Sequence, residues 1–140
     1  MASFVDRVVG AARLDVRTYE EVEADSTATP QAVGVVALAA VASGVGVMGT
    51  GGTGVFATVV GALVGWVVWA SLIWLIGTQL LPEPQTRADI GQLLRTIGFA
   101  AAPGLLLILR LLPLVGSVVA LVVWLWQLAT TVVAVRQALD

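Results

Sequence analysis

The chain has 140 residues, of which 59% are hydrophobic and 11% are charged, and its formal net charge is −2. Because ordinary soluble domains carry roughly 25% charged residues, a soluble fold of this length would have too few polar groups to cover its surface. The composition therefore predicts a membrane protein, and the negative charge gives no basis for binding nucleic acid. Cysteine and histidine are absent, which removes thiol and imidazole catalysis, zinc sites and His-ligated haem. We expect no metal and no cofactor.

The first segment, residues 2–22, has the pattern of an amphipathic helix. Its apolar residues recur at spacings of three and four and form one stripe: Phe4, Val5, Val8, Val9, Ala12, Val16 and Tyr19. Such a helix can lie in the lipid headgroup region, or it can pack against the ends of the membrane helices of its own chain. The pattern leaves both alternatives open. The acidic residues in the segment argue against an independent anchor on anionic lipid.

A short polar linker separates this segment from the first predicted span, residues 31–48, which is rich in small residues. Ala40 and Gly44 are a small pair four residues apart, which predicts close packing against a neighbouring helix. The sequence GTGGTG follows at residues 49–54. It resembles a phosphate-binding glycine loop, but no strand precedes it, so a turn between two membrane helices is the favoured interpretation.

The second predicted span, residues 55–81, is longer than the roughly 20 residues that a perpendicular span requires. We therefore expect tilt or local unwinding near Gly77. Gly61 and Gly65 form a GxxxG pair, a candidate packing face for another helix of this chain or for a second protomer. Trp74 is a candidate anchor at the membrane interface.

Two prolines, Pro82 and Pro84, end the second helix, and Thr86–Asp89 resembles a capping box. Apolar residues then continue at helical spacing and predict a short amphipathic helix over residues 87–97 that lies at the membrane surface. This helix leads into the third predicted span, residues 97–112.

Three residues of the third span have predicted roles. Gly98 and Pro103 mark bends. Arg110 is the one charge between Arg95 and Arg136. A charge at mid-membrane would suggest an ion path, but Arg110 lies just before a helix break, so we expect it to reach the interface as an anchor.

The fourth predicted span covers residues 115–135, and Arg136 is a candidate anchor at its end. Four spans place both termini on the same side as the loop at residues 82–96. That side carries six arginines and the opposite side carries Arg110 alone, so the positive-inside rule predicts cytoplasmic termini. The fold class is therefore all-α: residues 1–140 form a single four-span membrane domain, with interfacial helices at the N-terminus and before span three.

Three stretches resemble the Yip (Ypt-interacting protein) family of small polytopic membrane proteins, as a prokaryotic member. They are the amphipathic lead Leu14–Val22 with its linker, the segment Asp89–Pro103 with its glycine–aromatic and proline bend, and the closing helix that ends at Leu139. The resemblance implies a membrane domain without catalytic residues. Eukaryotic members are associated with vesicle trafficking, small-GTPase partners and membrane shaping. They usually have five spans and a longer cytosolic N-terminus, and this difference weighs against a GTPase partner here.

These observations favour a non-catalytic membrane protein that organises or shapes the bilayer or scaffolds other proteins. The alternative is a small accessory subunit of a larger membrane complex. A transporter or channel is less favoured, because no acidic residue lies in a predicted span. An enzyme is least favoured, because no His or Lys can activate Ser43, Ser71 or Ser117. We expect lipid, other membrane proteins or a second copy as partners, and a bacterial plasma (inner) membrane as the location.

Overall fold

The computed structural model describes residues 2–52 and 54–140, and every secondary-structure element in these residues is a helix. Within these residues, four helical segments are long and apolar enough to cross a membrane, as predicted. The helices are α1 (Phe4–Ala12), α2 (Val16–Ala24), α3 (Thr29–Gly46), α4 (Val55–Leu75), α5 (Ile90–Ala100) and α6 (Gly116–Leu139), with a π-helical turn at Ile76–Leu80 and a 3₁₀ helix at Ala102–Leu111.

The N-terminal segment is two helices rather than the single helix predicted for residues 2–22. The chain turns at Leu14, which has a φ of 63°, and Asp15 then caps α2 by accepting a hydrogen bond from the Arg17 backbone N–H. A Cβ atom on Gly10 would overlap the Thr18 hydroxyl. The lack of a side chain at Gly10 therefore lets α2 fold back closely on α1. No glycine or proline marks this turn in the sequence, so the apolar spacing alone could not reveal it.

The second span keeps its helical path to Leu80, but its last turn differs from an α-helix. The backbone widens to a π-helical turn at Ile76–Leu80, around Gly77. Gly77 packs against Leu139 at the end of α6, where an added Cβ would lie 2.9 Å from the leucine Cδ2. The distortion lies where the sequence predicted unwinding, and it lets the end of α4 meet the end of α6.

The third span, Ile90–Leu111, combines α5 with the 3₁₀ helix. Its cap is Asp89, which accepts from the Gln92 N–H while the Gln92 side chain accepts from the Asp89 N–H. Asp89 is thus the first residue of the capping box and not the last residue of a box that starts at Thr86, so the helix begins later than predicted. Most of α5 is buried. The segment predicted as a surface helix over residues 87–97 is therefore largely a packed part of span three.

The first and third spans run parallel and pack through very small residues. A Cβ added to Gly98 would lie 2.7 Å from the Ala32 Cβ, and one added to Gly104 would lie 3.0 Å from the Ala39 Cβ. A Cβ added to Gly46 would overlap the Leu107 carbonyl oxygen. Small residues thus recur every seven positions along α3 and allow the two backbones to approach closely.

The bundle has two dissimilar ends. At one end, which we call the charged end, α1 and α2 lie beside the start of α5 and the end of α6. At the other end, the glycine-loop end, the turn after Gly46 lies beside Arg110, which in turn approaches Gly116. Six arginines belong to segments that meet at the charged end: Arg7, Arg13, Arg17, Arg87, Arg95 and Arg136.

Candidate functional site

A buried arginine joins the N-terminal helices to the bundle. The Arg7 side chain is only 3% exposed and donates to Glu21 Oε1 at 2.8 Å, to Asp25 Oδ2 at 2.8 Å and to Gln31 Oε1 at 2.9 Å. Burial by itself lowers the pKa of Arg7, but the bonds to Glu21 and Asp25 outweigh it and raise that pKa. We call Arg7 with its three partners the Arg7 cluster. It connects α1, α2, the linker and α3.

A second buried arginine fixes α2 to span three. Arg95 donates through Nε to the Val22 carbonyl at 2.9 Å and through Nη2 to the Glu23 carbonyl. Because the last carbonyls of a helix have no partner within it, Arg95 acts as a cap on the end of α2. Tyr19 of the same helix is fully buried and donates to the Ala11 carbonyl at 3.0 Å. Burial raises the pKa of the Tyr19 hydroxyl.

Helix α1 crosses the outer side of the 3₁₀ helix. One groove beside α1 is lined by Phe4, Val8 and Leu105, and another by Val8, Ala12 and Leu106. At the end of α1 the indole Nε1 of Trp126 donates to the Ala12 carbonyl at 2.6 Å. Helix α1 therefore extends from α3, past span three, to the middle of α6.

The outer faces of these two helices remain apolar in part. Val5 is 64% exposed, and Val9, Leu14 and Val16 are also exposed. The inner faces pack on the bundle in one core cluster with Ala134 and other small residues. Of the two alternatives that the sequence left open, the structure shows packing against the chain's own helices. The exposed valines leave a strip available to lipid as well.

The predicted packing residues fall into two groups. Ala40 is buried within the bundle, and Gly44 faces the start of α4, where an added Cβ would lie 3.0 Å from the Val55 Cα. Gly61 and Gly65 are exposed, and no described residue of another helix lies within 4 Å of a Cβ added to either. Among the described residues no other helix occupies the GxxxG face.

The predicted bend residues both lie where span three changes form. Gly98 lies in the last turns of α5 at the contact with Ala32, and Pro103 is buried at the start of the 3₁₀ helix. Pro103 lacks a backbone N–H and cannot complete the α-helical bonding pattern. The helix therefore narrows there from α to 3₁₀ geometry.

The three predicted anchors lie at the two ends. Arg110 lies in the last turn of the 3₁₀ helix at the glycine-loop end and is half-buried. Arg136 is exposed at the charged end and lies 3.7 Å from Asp140. The indole Nε1 of Trp74 donates to the Ala88 carbonyl at 3.2 Å, so Trp74 also holds the loop after α4.

A lateral cleft opens between α4 and α6. The two helices share a small core cluster near the charged end, and towards the glycine-loop end they leave a cavity of about 390 Å³. Its walls come from α3, α4, span three and α6, and polar groups on three of them face it: Ser43, Thr58, Gln127 and Thr131. We call this cavity the cleft. No charged residue is among the described residues that line it.

Sequence reasoning missed the residues that hold the N-terminal helices in place. From the sequence, Arg7 and Arg95 are expected at the surface, because an arginine is rarely buried without partners. Their partners lie far away in sequence, up to 73 residues for Arg95. One available signal was the position of Arg7 in the same helical turn as Phe4 and Val8, with carboxylates ahead at Glu21 and Asp25.

Comparison with known proteins identifies a family. Residues 17–140 match the family model of the Yip1 domain, and neither the curated proteins nor the solved structures give a significant match. The matched region begins within α2 and includes all four spans, so α1 lies outside it. Among the described residues, no group of three or more acidic, His or Cys side chains could hold a metal ion. The match covers most of the chain, and this integral membrane protein therefore belongs to the Yip1-domain family.

Proposed function

We propose that this protein is a non-catalytic organiser of the bilayer that shapes the membrane by acting as a wedge. The observation that carries the proposal is the docking of α1 and α2 on one end of a four-helix bundle. The charged end thereby contains six helices, and the glycine-loop end contains four. A molecule of this shape takes up more area in one leaflet than in the other.

The exposed strip on α1 supports insertion into that leaflet. Val5 and Val9 are exposed, whereas the guanidinium of Arg7 is buried in the Arg7 cluster. Helices with such an apolar face insert roughly 5–10 Å into the boundary between headgroups and acyl chains. The arginine bias of the charged end favours the cytoplasmic leaflet of a plasma membrane, with both termini on that side.

Sorting by membrane curvature tests this proposal. The protein is reconstituted into vesicles of mixed diameter and labelled at Gln85→Cys with a membrane-impermeant dye, so that only molecules with the charged end outside are seen. We expect the protein density to rise as vesicle diameter falls, because outward curvature opens space in the outer leaflet. A density that does not change with diameter would refute the wedge.

A matched pair of variants separates insertion from general effects. Val5→Gln with Val9→Gln removes apolar area from the exposed strip and should flatten the dependence on diameter. Arg17→Gln with Glu20→Gln changes exposed polar positions on α2 without altering net charge, and should sort as the parent does. Equal behaviour of the two double variants would contradict a role for the strip.

The open glycines on α4 favour a second candidate, an accessory subunit of a membrane complex. Glycines let a partner helix approach closely in a membrane, and no described residue of another helix lies within 4 Å of a Cβ added to Gly61 or Gly65. Gentle-detergent purification from native membranes, read by mass spectrometry, tests this role. A stoichiometric partner should be lost in Gly61→Ile and retained in Val67→Ile, which changes an exposed residue on another face of α4. The same yield from both would exclude the glycine face as a docking site.

A further inference from the structure

The cleft contains hydrogen-bonding groups that lack partners at membrane depth. In the spanning helices, Ser71 donates to the Val67 carbonyl at 2.7 Å and Thr78 donates to the Trp74 carbonyl at 2.7 Å. Among residues 2–52 and 54–140, the hydroxyls of Ser43 and Thr131 make no such bond. Because hydrocarbon offers no hydrogen bonds, a polar group left unpaired there is costly.

An amide, that of Gln127, also lines the cleft and lies beside the start of the 3₁₀ helix. Gln127 Nε2 makes a long bond of 3.4 Å to the Ala101 carbonyl, which leaves Oε1 available as an acceptor. The glycine at 104 makes room for the amide, because an added Cβ would lie 2.8 Å from Gln127 Nε2. The cleft thus presents two hydroxyls and one carbonyl oxygen on an otherwise apolar surface.

We propose that the cleft binds an uncharged single-chain lipophile that carries a hydroxyl group. A ligand hydroxyl can donate to Gln127 Oε1 and accept from Ser43 or Thr131, so it satisfies groups that an ordinary acyl chain leaves unpaired. The absence of charge in the described lining disfavours a carboxylate or a phosphate. The apolar walls, which include Trp66 and Trp69, suit a hydrocarbon body.

The size and position of the cleft agree with this ligand. The cavity of about 390 Å³ lies within the range of roughly 300–1,000 Å³ that is usual for small-molecule sites. The opening faces sideways between α4 and α6, so such a molecule can enter from the bilayer. Binding here requires no change in the Arg7 cluster, and the inference stands independently of the wedge.

Photolabelling of the full chain in lipid nanodiscs tests the inference. The probe is tetradecan-1-ol with a diazirine on its chain, and matched probes are the corresponding alkane and the ionised carboxylic acid. We expect the alcohol to label peptides of the cleft, with saturation and with competition by unlabelled tetradecan-1-ol. Equal labelling by the alkane would reduce the cleft to ordinary lipid-facing surface and would overturn the proposal, as would preferential labelling by the acid.

Variants of the unpaired hydroxyls provide the decisive comparison. Thr131→Val and Ser43→Ala should each weaken labelling by about three- to tenfold, the value of one hydrogen bond. The control is Ser71→Ala, whose hydroxyl is already bonded within its own helix, and it should label as the parent does. Thermal melts identify any variant that has lost its fold. Retained labelling in both cleft variants would refute the site. Cross-links between the clefts of two copies that persist in the presence of the alcohol would also refute it.

Discussion

Two arginines are buried by different means. Arg7 meets two carboxylates and an amide, whereas Arg95 meets only backbone carbonyls at the end of α2. In the first case the charge is neutralised by partners that are themselves partly exposed. In the second the guanidinium satisfies carbonyls that the helix leaves unpaired. Both arginines therefore help to fix the position of α2, one through side chains and the other through backbone carbonyls.

Replacing Arg7 should weaken the fold measurably. Arg7→Met leaves Glu21 and Asp25 without their cation, and we expect a loss of about 2 kcal/mol, less than for a fully buried pair because Glu21 is partly exposed. Thermal unfolding in detergent measures the change. Arg17→Met, at an exposed position of α2, should leave the midpoint close to that of the parent. Equal midpoints for the two variants would show that the cluster adds nothing to stability.

The Arg7 cluster should also give the protein an acid-sensitive component. Hydrogen bonding from Thr27, and then from Arg7, lowers the pKa of Asp25 below its usual value. Because its pKa is lower in the folded state, ionised Asp25 stabilises the fold at pH values above the unfolded pKa of about 3.9. This stabilisation is lost as the pH falls through the folded pKa. Burial raises the pKa of Glu23, so the effect of Glu23 on stability changes with pH in the opposite direction. A variant of Asp25 keeps Glu23, and a comparison with the parent therefore cancels this effect.

The measurement is the melting midpoint between neutral pH and about pH 3. Asp25→Asn should start lower than the parent and should fall less steeply below about pH 4. Parallel curves for the two proteins would show that Asp25 does not gain its stability from ionisation.

Residue-scale features were the hardest to predict from the sequence. Long apolar runs identified the four spans, because continuous hydrophobicity over about 20 residues marks a membrane helix. They could not reveal that Arg95 reaches carbonyls 73 residues away, or that Leu14 adopts a positive φ. Those choices depend on tertiary packing, which no local pattern contains.

At the scale of elements, the 3₁₀ helix of span three presents separate faces to the cleft and to α1. With three residues per turn, Ala101, Gly104 and Leu107 fall on one face and line the cleft. Leu105 and Leu106 fall on the other two and line the grooves beside α1. The same ten residues, Ala102–Leu111, cover about 20 Å in this form and would cover about 15 Å as an α-helix.

Close packing between α3 and span three makes Gly98 sensitive to substitution. Gly98→Ala places a Cβ against Ala32, and we expect a loss of about 1–2 kcal/mol after the gain in helix propensity. Adding Ala32→Gly should recover part of that loss. Gly34→Ala, which meets nothing within 4 Å, is the control and should be neutral or stabilising. Failure of the second change to rescue the first would locate the strain elsewhere.

One indole contributes to the docking of α1. Trp126→Phe removes the bond to the Ala12 carbonyl and should cost about 1 kcal/mol of local stability. Hydrogen exchange of the α1 amides should become about fivefold faster. Trp124→Phe changes an exposed tryptophan of the same helix and should leave these rates unchanged. Unaltered rates in both variants would show that the other contacts of α1 suffice.

The whole molecule is asymmetric in both charge and width. The segments at the charged end carry six of the seven arginines, and the same end carries the two extra helices. Both properties follow from one arrangement, since the helices that widen this end also bring three of its arginines. The sequence predicted the asymmetry of charge, whereas the asymmetry of width depends on how α1 and α2 pack.

Labelling of single cysteines checks the membrane orientation, because the chain has no cysteine of its own. Gln85→Cys and Gln137→Cys should react with an impermeant maleimide only from the cytoplasmic side. Gly49→Cys, in the exposed turn after α3, should react only from the other side. Labelling of all three from one side would contradict the four-span topology.

The contact between Trp126 and Ala12 joins residues that are 114 positions apart. At a synthesis rate of about 5–20 residues per second, Ala12 is made roughly 6–23 s before Trp126. During this interval the apolar stripe of α1 has no partner in α6, and the membrane surface is the nearest place that can shelter it. The bond between Trp126 and Ala12 is therefore among the last contacts of α1 to form, whereas every partner in the Arg7 cluster is synthesised by residue 31.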